Sequence, residues 1–200
     1  MDYDWLELQK RVHREFARRL AEVADWDAPT PDDEWTVRDL VAHVIEEQQW
    51  VPYLLAGETI EKAKKQIEPL RDDLRGEWEL YSFAATTAWS ESSPEQRVHL
   101  SYDEVTMADY LREQVSDVAI HTWDLARAVG ADEELDSELV EAVWSVFEPQ
   151  KETLAARVSF WGSKTVHTAS TSSESSSSSA PTARARSQVW IATSETCSRR

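Results

Sequence analysis

The stretch MADYLREQVSDVAIHTWDLARAVG, residues 107–130, decides the fold of this chain. Its apolar side chains recur at intervals of three and four, the period of one helix face, over about five turns. Thr106 and Asp109 indicate where the helix starts, and Gly130 indicates where it ends. The sequence therefore predicts one long amphipathic helix, whose stripe is Leu111, Val115, Val118, Thr122, Leu125 and Val129.

The same stretch contains two candidate metal ligands. Asp117 and His121 are four residues apart, so both side chains leave the helix on one side. His43 lies in a second run with helical periodicity, VRDLVAHVIEEQQW, residues 37–50. Both histidines flank their apolar stripes, where neighbouring helices of a bundle meet. If the two helices pack together, two imidazoles and a carboxylate can bind one divalent metal with coordination positions left open. The spacing alone is also typical of a pair on a helix surface that does nothing more than hydrogen-bond.

The rest of the ordered sequence is also helical in pattern. The second helix begins after Thr36, a predicted N-cap, and is closed by Gly57. The stretch RVHLSYDEV, residues 97–105, alternates and predicts a short extended connection. With few glycines and hardly any strand pattern, the chain is predicted to be an all-α bundle. The remaining predicted helices span residues 3–25, about 70–89 and about 137–156, the last being an additional C-terminal helix.

Residues 159–200 differ in composition from the rest of the chain. They are rich in Ser and Arg and have no apolar stripe, so they are unable to bury enough surface to offset the entropy of ordering. We therefore predict a helical domain over residues 1–158 and a disordered tail over 159–200. A further hypothesis is that the tail is aberrant, the product of a shifted reading frame, which resequencing of the gene would test.

Charge and cysteine content exclude several classes of function. The net charge of −17 argues against a nucleic acid partner, because binding the phosphate backbone depends on Lys and Arg. Cys197 is the only cysteine, so neither a disulfide framework nor a thiolate metal site is expected. The N-terminal residues contain charges where a secretory signal needs an apolar segment, and no run approaches the ~18 apolar residues of a membrane span. We predict a cytoplasmic protein without a membrane partner.

Two stretches resemble a known family. WTVRDLVAHVIEEQQWVPYLLAGET and VSDVAIHTWDLARAVGAD are similar to the signature stretches of the DinB-like metal-binding superfamily, in the branch of the N-terminal domain of mycothiol-dependent maleylpyruvate isomerase. The resemblance spans roughly residues 5–158. It implies a four-helix bundle whose metal is held by a His of the second helix and by a carboxylate and a His of a later helix. These positions match His43, Asp117 and His121, although the family carboxylate is often Glu.

The resemblance also implies a function. Related proteins are isomerases and transferases in which a divalent metal lowers the pKa of a small thiol, mycothiol or a similar one, that attacks an electrophilic substrate. The alternative is a metal-binding stress or regulatory module without turnover. The predicted partners are a small substrate or thiol, and a homodimer stays open. Two imidazoles and a carboxylate suit Zn²⁺ best, while Ni²⁺, Fe²⁺ and Mn²⁺ are further options.

Other residues near the predicted ligands have open roles. Glu47, one turn after His43, is a fourth ligand, a proton acceptor or simply a solvated acid. Asp124, three residues after His121, either orients the second ring nitrogen of that histidine or is a surface acid. Trp50 and Trp123 are pocket walls or ordinary packing residues. The remaining histidines have no partner at ligand spacing, so we predict His13 on a helix surface, His99 in a connection and His167 in the tail.

Overall fold

The structure is a computed structural model that describes residues 2–32, 34–101 and 103–150. It contains four long helices, which confirms the predicted all-α class. Two short strands form an antiparallel hairpin between the third and fourth of them. The elements in chain order are α1 (Trp5–Glu22), α2 (Val37–Leu55), α3 (Ile60–Ala63), α4 (Leu74–Glu91), β1 (Arg97–His99), β2 (Glu104–Thr106), α5 (Met107–Val129), α6 (Ser137–Phe147) and a 3-10 helix (Glu148–Gln150).

The four long helices form a bundle within a compact unit that ends at Val143. Helix α1 packs against α5 and α4, and α2 packs against the same two helices, so α1 and α2 lie diagonally opposite. The apolar residues that recur at intervals of three and four along α1 and just after it are buried: Leu8, Val12, Phe16, Leu20 and Val23. The stripe with the same spacing on α2 is also buried: Val37, Leu40, Val41, Val44, Gln48, Val51 and Leu55. A second unit begins at Trp144, and the structure describes it only as far as residue 150. Among the described residues, no helix is long and apolar enough to cross a membrane.

The predicted ends of α2 and α5 agree with the structure. The Thr36 side chain accepts a hydrogen bond from the Asp39 amide, and the Asp39 carboxylate accepts one from the Thr36 amide, so a complete capping box opens α2. Gly57, with φ of 81°, follows α2, and Gly130, with φ of 70°, ends α5. Both glycines adopt left-handed conformations that other residues reach only with strain.

Helix α4 begins later than predicted. The sequence pattern suggested about residue 70, whereas the helix starts at Leu74, after the N-cap Asp73. The Asp73 carboxylate accepts a hydrogen bond from the Gly76 amide at 3.2 Å. A Cβ at residue 76 would lie 2.7 Å from an Asp73 oxygen, so the glycine permits this close cap. Gly76, a residue type with low helix propensity, is thus part of the helix start.

The C-terminal helix is shorter than predicted. Helix α6 ends at Phe147 instead of continuing toward residue 156, and the chain tightens into the 3-10 helix around Pro149. Proline disfavours α-helical geometry in the residue before it and has no N–H to donate, which explains the change. The predicted last part of this helix and the predicted disordered tail lie outside the described residues, so the domain boundary at 158 stays a prediction.

Two connections contain more structure than the sequence predicted. The extended segment after α4 is a hairpin in which Val98 pairs with Val105. Helix α3 was not predicted, because four residues are too few to show a helical period.

The prediction that His13 lies on a helix surface is wrong. Its side chain is buried between helices, with its ring 4.9 Å from that of Trp78 on α4. The Gln9 amide lies 3.1 Å from its Nδ1. A flank position of a helix becomes interior when two neighbouring helices cover it, and the periodicity of one helix does not reveal this.

Candidate metal centre

The predicted ligands meet at the contact between α2 and α5. His43 comes from the second turn of α2, and Asp117 and His121 come from successive turns of α5. His43 Nε2 is 3.8 Å from Asp117 Oδ2, and His121 Nε2 is 3.4 Å from Asp117 Oδ1. The two imidazole rings are perpendicular at a centroid distance of 5.2 Å. Each residue therefore turns a potential ligand atom toward the same small volume, and these atoms all lie within 4.8 Å of one another.

The site is largely closed to solvent on the α5 side. The exposed fraction of the side chain is 5% for Asp117 and 8% for His121, against 21% for His43. Solvent therefore reaches the cluster mainly beside His43. Metal sites that also bind substrate commonly have buried ligands and one side that is open to solvent, and this cluster has both features.

Asp117 and His121 perturb each other electrostatically. Burial by itself would raise the pKa of the Asp117 carboxyl, but the charge of His121 and the polar contacts with both imidazoles hold it well below its usual range. Burial by itself would lower the pKa of His121, but the charge of Asp117 raises it to about 10. In the protein without metal, a proton on His121 therefore stabilises the buried carboxylate. A divalent cation would supply the same compensation with more charge.

The donor set fits a divalent metal. Asp117 Oδ2 is buried and receives no hydrogen bond from the described residues, so it retains free acceptor capacity inside the protein. A buried carboxylate oxygen without a partner is costly. Two imidazole nitrogens and a carboxylate oxygen are ligands that Zn²⁺ and similar ions accept. The residues present are therefore suited to hold such an ion.

Glu47 lies next to this cluster and is tied to α5. Its Oε2 accepts a hydrogen bond of 3.2 Å from the Gln114 side chain, whose own oxygen accepts one of 3.2 Å from Gln48. Burial raises the pKa of Glu47; the charge of His43 opposes this rise and that of Asp117 adds to it. Glu47 is thus a half-buried carboxylate in the field of two predicted ligands, and not a solvated acid like its exposed neighbour Glu46.

Gln114 was not among the predicted site residues, although a signal for it was present. Gln114, Asp117, His121 and Asp124 follow one another along α5 at intervals of three and four, which forms a polar stripe beside the apolar one. All four are buried. A buried polar stripe of this kind indicates a site rather than a solvated helix face.

Asp124 lies where a residue that orients His121 would lie. Its Oδ2 is 3.4 Å from His121 Nδ1, at the outer limit of a hydrogen bond, and the Nδ1 has no better-aligned partner among the described residues.

The two tryptophans considered as pocket walls have other contacts. The ring of Trp123 contacts the Arg127 guanidinium, 5.1 Å from the ring centroid, and Trp50 packs against the apolar core. His99 is in β1, beside Glu104, and His167 lies outside the described residues.

The aromatic residue that covers the ligands is Trp35, which the sequence did not single out. Its ring centroid is 4.9 Å from that of His43 and 5.6 Å from that of His121. Trp35 lies in the α1–α2 connection, directly before the N-cap of α2, so no helical period points to it. The one sequence feature that points to Trp35 is its position directly before Thr36, the N-cap of α2.

The bundle and its His, Asp and His cluster define a DinB-like helical protein with a candidate metal centre. Residues 9–126 match the family described as mycothiol maleylpyruvate isomerase N-terminal domain. The chain belongs to this family. The match includes most of α1, all of α2 and α4 and most of α5, and therefore every residue of the candidate centre.

Relatives and solved structures agree with this assignment. Two uncharacterized proteins of Mycobacterium tuberculosis, Rv0738 and MT0763, are each 33% identical over 138 residues, which is 68% of this chain and 73% of theirs. Crystal structures of mycothiol-dependent maleylpyruvate isomerase and of a mutant of it have TM-scores of 0.56 and 0.57, with 22% identity. Each alignment covers 78% of this chain and 68% of the solved chain. At this identity the likeness shows the shared fold.

Proposed function

We propose that the protein binds a divalent metal through His43, Asp117 and His121 and catalyses a thiol-dependent isomerase or transferase reaction on a small electrophilic substrate. The observation that carries the proposal is the convergence of three ligand atoms, within 4.8 Å of one another, around a buried carboxylate oxygen that receives no hydrogen bond. Zn²⁺ is the ion that we expect, because two imidazoles and one carboxylate form a common zinc donor set. Membership of the family supports mycothiol or a related thiol as the co-substrate.

The bound metal would supply Lewis acid chemistry that lowers the pKa of a thiol and presents it as a thiolate. The protein's own residues complete the site. The Glu47 carboxylate accepts the thiol proton, and Gln114 keeps this carboxylate in place by hydrogen bonding to its Oε2. Asp124, whose Oδ2 is 3.4 Å from His121 Nδ1, would accept a hydrogen bond from Nδ1–H in the metal-bound protein and so leave the Nε2 of that histidine as the ligand.

Solvent access beside His43 supports entry of the small molecules from that side. Substrate identity is part of the proposal: we expect a small unsaturated acid, because the solved relatives act on maleylpyruvate according to their names. A cytoplasmic location and the absence of a nucleic acid partner remain predictions from the sequence.

The first test is metal content. The full-length protein, a His43→Ala/His121→Ala variant and a His99→Ala variant are purified and measured by elemental mass spectrometry, before and after reconstitution with Zn²⁺. We expect about one metal per chain in the parent and in His99→Ala, which loses an exposed histidine outside the cluster, and none in the double variant. Equal metal content in parent and double variant would refute the assignment of these ligands.

The second test is turnover. The zinc-loaded protein is assayed for isomerisation of maleylpyruvate with mycothiol and with no thiol, beside a Glu47→Gln variant. We expect a thiol-dependent rate that falls at least about 100-fold in the variant, while metal content is retained. Stoichiometric metal binding without thiol-dependent turnover would instead favour the alternative, a metal-binding module without catalysis.

A further inference from the structure

Trp35 bridges the two histidines of the candidate metal centre. Its indole contacts the ring of His43 at an interplanar angle of 50° and is nearly parallel to the ring of His121, at 28°. Among the described residues, it is the aromatic side chain in ring contact with both imidazoles. A stacked or tilted aromatic neighbour limits rotation of an imidazole about its χ2 bond.

The backbone around Trp35 is held firmly. The Trp35 amide donates to the Asp32 carbonyl at 3.1 Å, and the Trp35 carbonyl accepts from both the amide and the hydroxyl of Thr30, at 3.1 and 3.0 Å. The adjacent residue, Thr36, begins the capping box of α2 and forms an isolated β-bridge with Pro29. The indole therefore projects from a loop segment whose position is set by hydrogen bonds before any ligand binds.

The same connection is anchored to α4 through Trp26. The guanidinium groups of Arg38 and Arg75 lie 5.4 and 5.1 Å from the Trp26 ring, within cation–π distance. The Trp26 carbonyl accepts from the Arg38 amide at 2.9 Å, and Arg75 donates to the Val23 carbonyl at 2.6 Å. Contacts on both sides of the loop thus keep Trp35 against the metal centre.

The two histidines differ in how their second ring nitrogens are held. His121 has Asp124 near its Nδ1, which is the usual way to orient a metal-binding imidazole. The described residues form no hydrogen bond with Nδ1 of His43, and its side chain is the most exposed of the three predicted ligands. The orientation of His43 therefore depends on its ring contacts, which are with Trp35 at a centroid distance of 4.9 Å and with His121 at 5.2 Å.

We propose that Trp35 is a positioning residue of this centre, whose indole holds the rings of His43 and His121 in the orientation required for binding a metal. The inference rests on the proposed function, because it assumes that the two histidines are ligands. It assigns to Trp35 a role in metal affinity, whether or not the protein catalyses a reaction. Trp35 acts through the ligands and does not itself bind the metal.

Metal affinity tests the inference without any assay of turnover. Zn²⁺ binding to the full-length, metal-free protein is measured by competition with a chromophoric chelator for the parent, Trp35→Ala, Trp35→Leu, Trp35→Phe and Trp123→Ala. We expect the Ala and Leu variants to bind Zn²⁺ about 10- to 100-fold more weakly, the usual effect of removing a residue that orients a ligand. Trp35→Phe restores an aromatic face, so its affinity stays within about 3-fold of the parent. Trp123→Ala controls for loss of a tryptophan that contacts Arg127 instead.

The outcomes distinguish a failure of the inference about Trp35 from a failure of the proposed metal centre. Weak binding by Ala and Leu together with near-normal binding by Phe supports the inference. The inference about Trp35 is overturned if Trp35→Leu binds Zn²⁺ with the affinity of the parent, or if Trp35→Phe binds it as weakly as Trp35→Leu. Neither result contradicts the proposed metal centre. A parent protein that fails to bind Zn²⁺ overturns the proposed centre itself. Trp35→Leu keeps apolar bulk, so it remains informative if Trp35→Ala does not fold.

Discussion

The buried imidazole of His13 makes the stability of this protein depend on pH, and a His13→Gln substitution should remove that dependence. His13 lies inside the bundle, beside Gln9 on the same helix and against the ring of Trp78 on α4. Burial lowers its pKa from 6.5 to about 3, and a contact with Gln48 opposes the shift only in part. In the folded protein the ring therefore stays neutral at pH values where the same ring in the unfolded chain is protonated.

The size and sign of the effect follow from this difference. Below pH 6.5 the unfolded chain binds a proton that the folded chain does not, so the free energy of unfolding decreases as the pH falls toward about 3. Each unit of pH below 6.5 costs about 1.4 kcal/mol. Between about pH 7.5 and about pH 5 the parent should therefore lose about 2 kcal/mol through His13 alone.

The assay is urea unfolding of metal-free parent and His13→Gln at these two pH values, with a chelator present. Gln does not titrate and retains hydrogen-bonding groups, so the stability difference between parent and variant should shift by about 2 kcal/mol in favour of the variant at the lower pH. Taking the difference cancels the titration of all other groups. His99→Gln serves as the matched control, in which an exposed histidine outside the core is replaced. A difference between parent and His13→Gln that does not change with pH would refute the reasoning.

Two further predictions concern the candidate centre and the start of α2. Asp124→Ala removes the carboxylate near His121 Nδ1, so Zn²⁺ affinity measured by calorimetry should fall about 10- to 100-fold; unchanged affinity would show that Asp124 does not orient His121. Thr36→Ala breaks the capping box and should lower the free energy of unfolding by about 1 kcal/mol in urea, whereas Thr36→Ser should retain most of it; equal losses would show that the hydroxyl hydrogen bond is not the cause.

The sequence predicted the helical elements well where the period was long. The stripes of α1 and α2 are buried as expected, because a helix that repeats apolar residues every three or four positions has one face that must leave water. Helix α3 was not predicted, since its four residues are too few to define a period. The end of α6 was misjudged because its apolar pattern outweighed the signal from Pro149.

The candidate site was only partly visible in the sequence. The i, i+4 pair of Asp117 and His121 lies on one helix, where local geometry alone brings the side chains together. His43 joined them through its flank position and through resemblance, and the structure places it 3.8 Å from Asp117. Trp35 and Gln114 were missed: Trp35 lies in a loop, and the burial of the α5 polar stripe depends on which helices cover it.

The sequence by itself therefore determined where the four long helices of the bundle lie, where α2 and α5 begin, and which side chains could bind a metal, because these properties depend on residues three or four positions apart. Only the tertiary structure decided that α2 packs beside α5, that Trp35 covers both imidazoles and that His13 is interior. Each of these contacts joins residues from different elements. Their geometry depends on how four helices pack around one core, and the periodicity of a single helix does not show which helices pack against it.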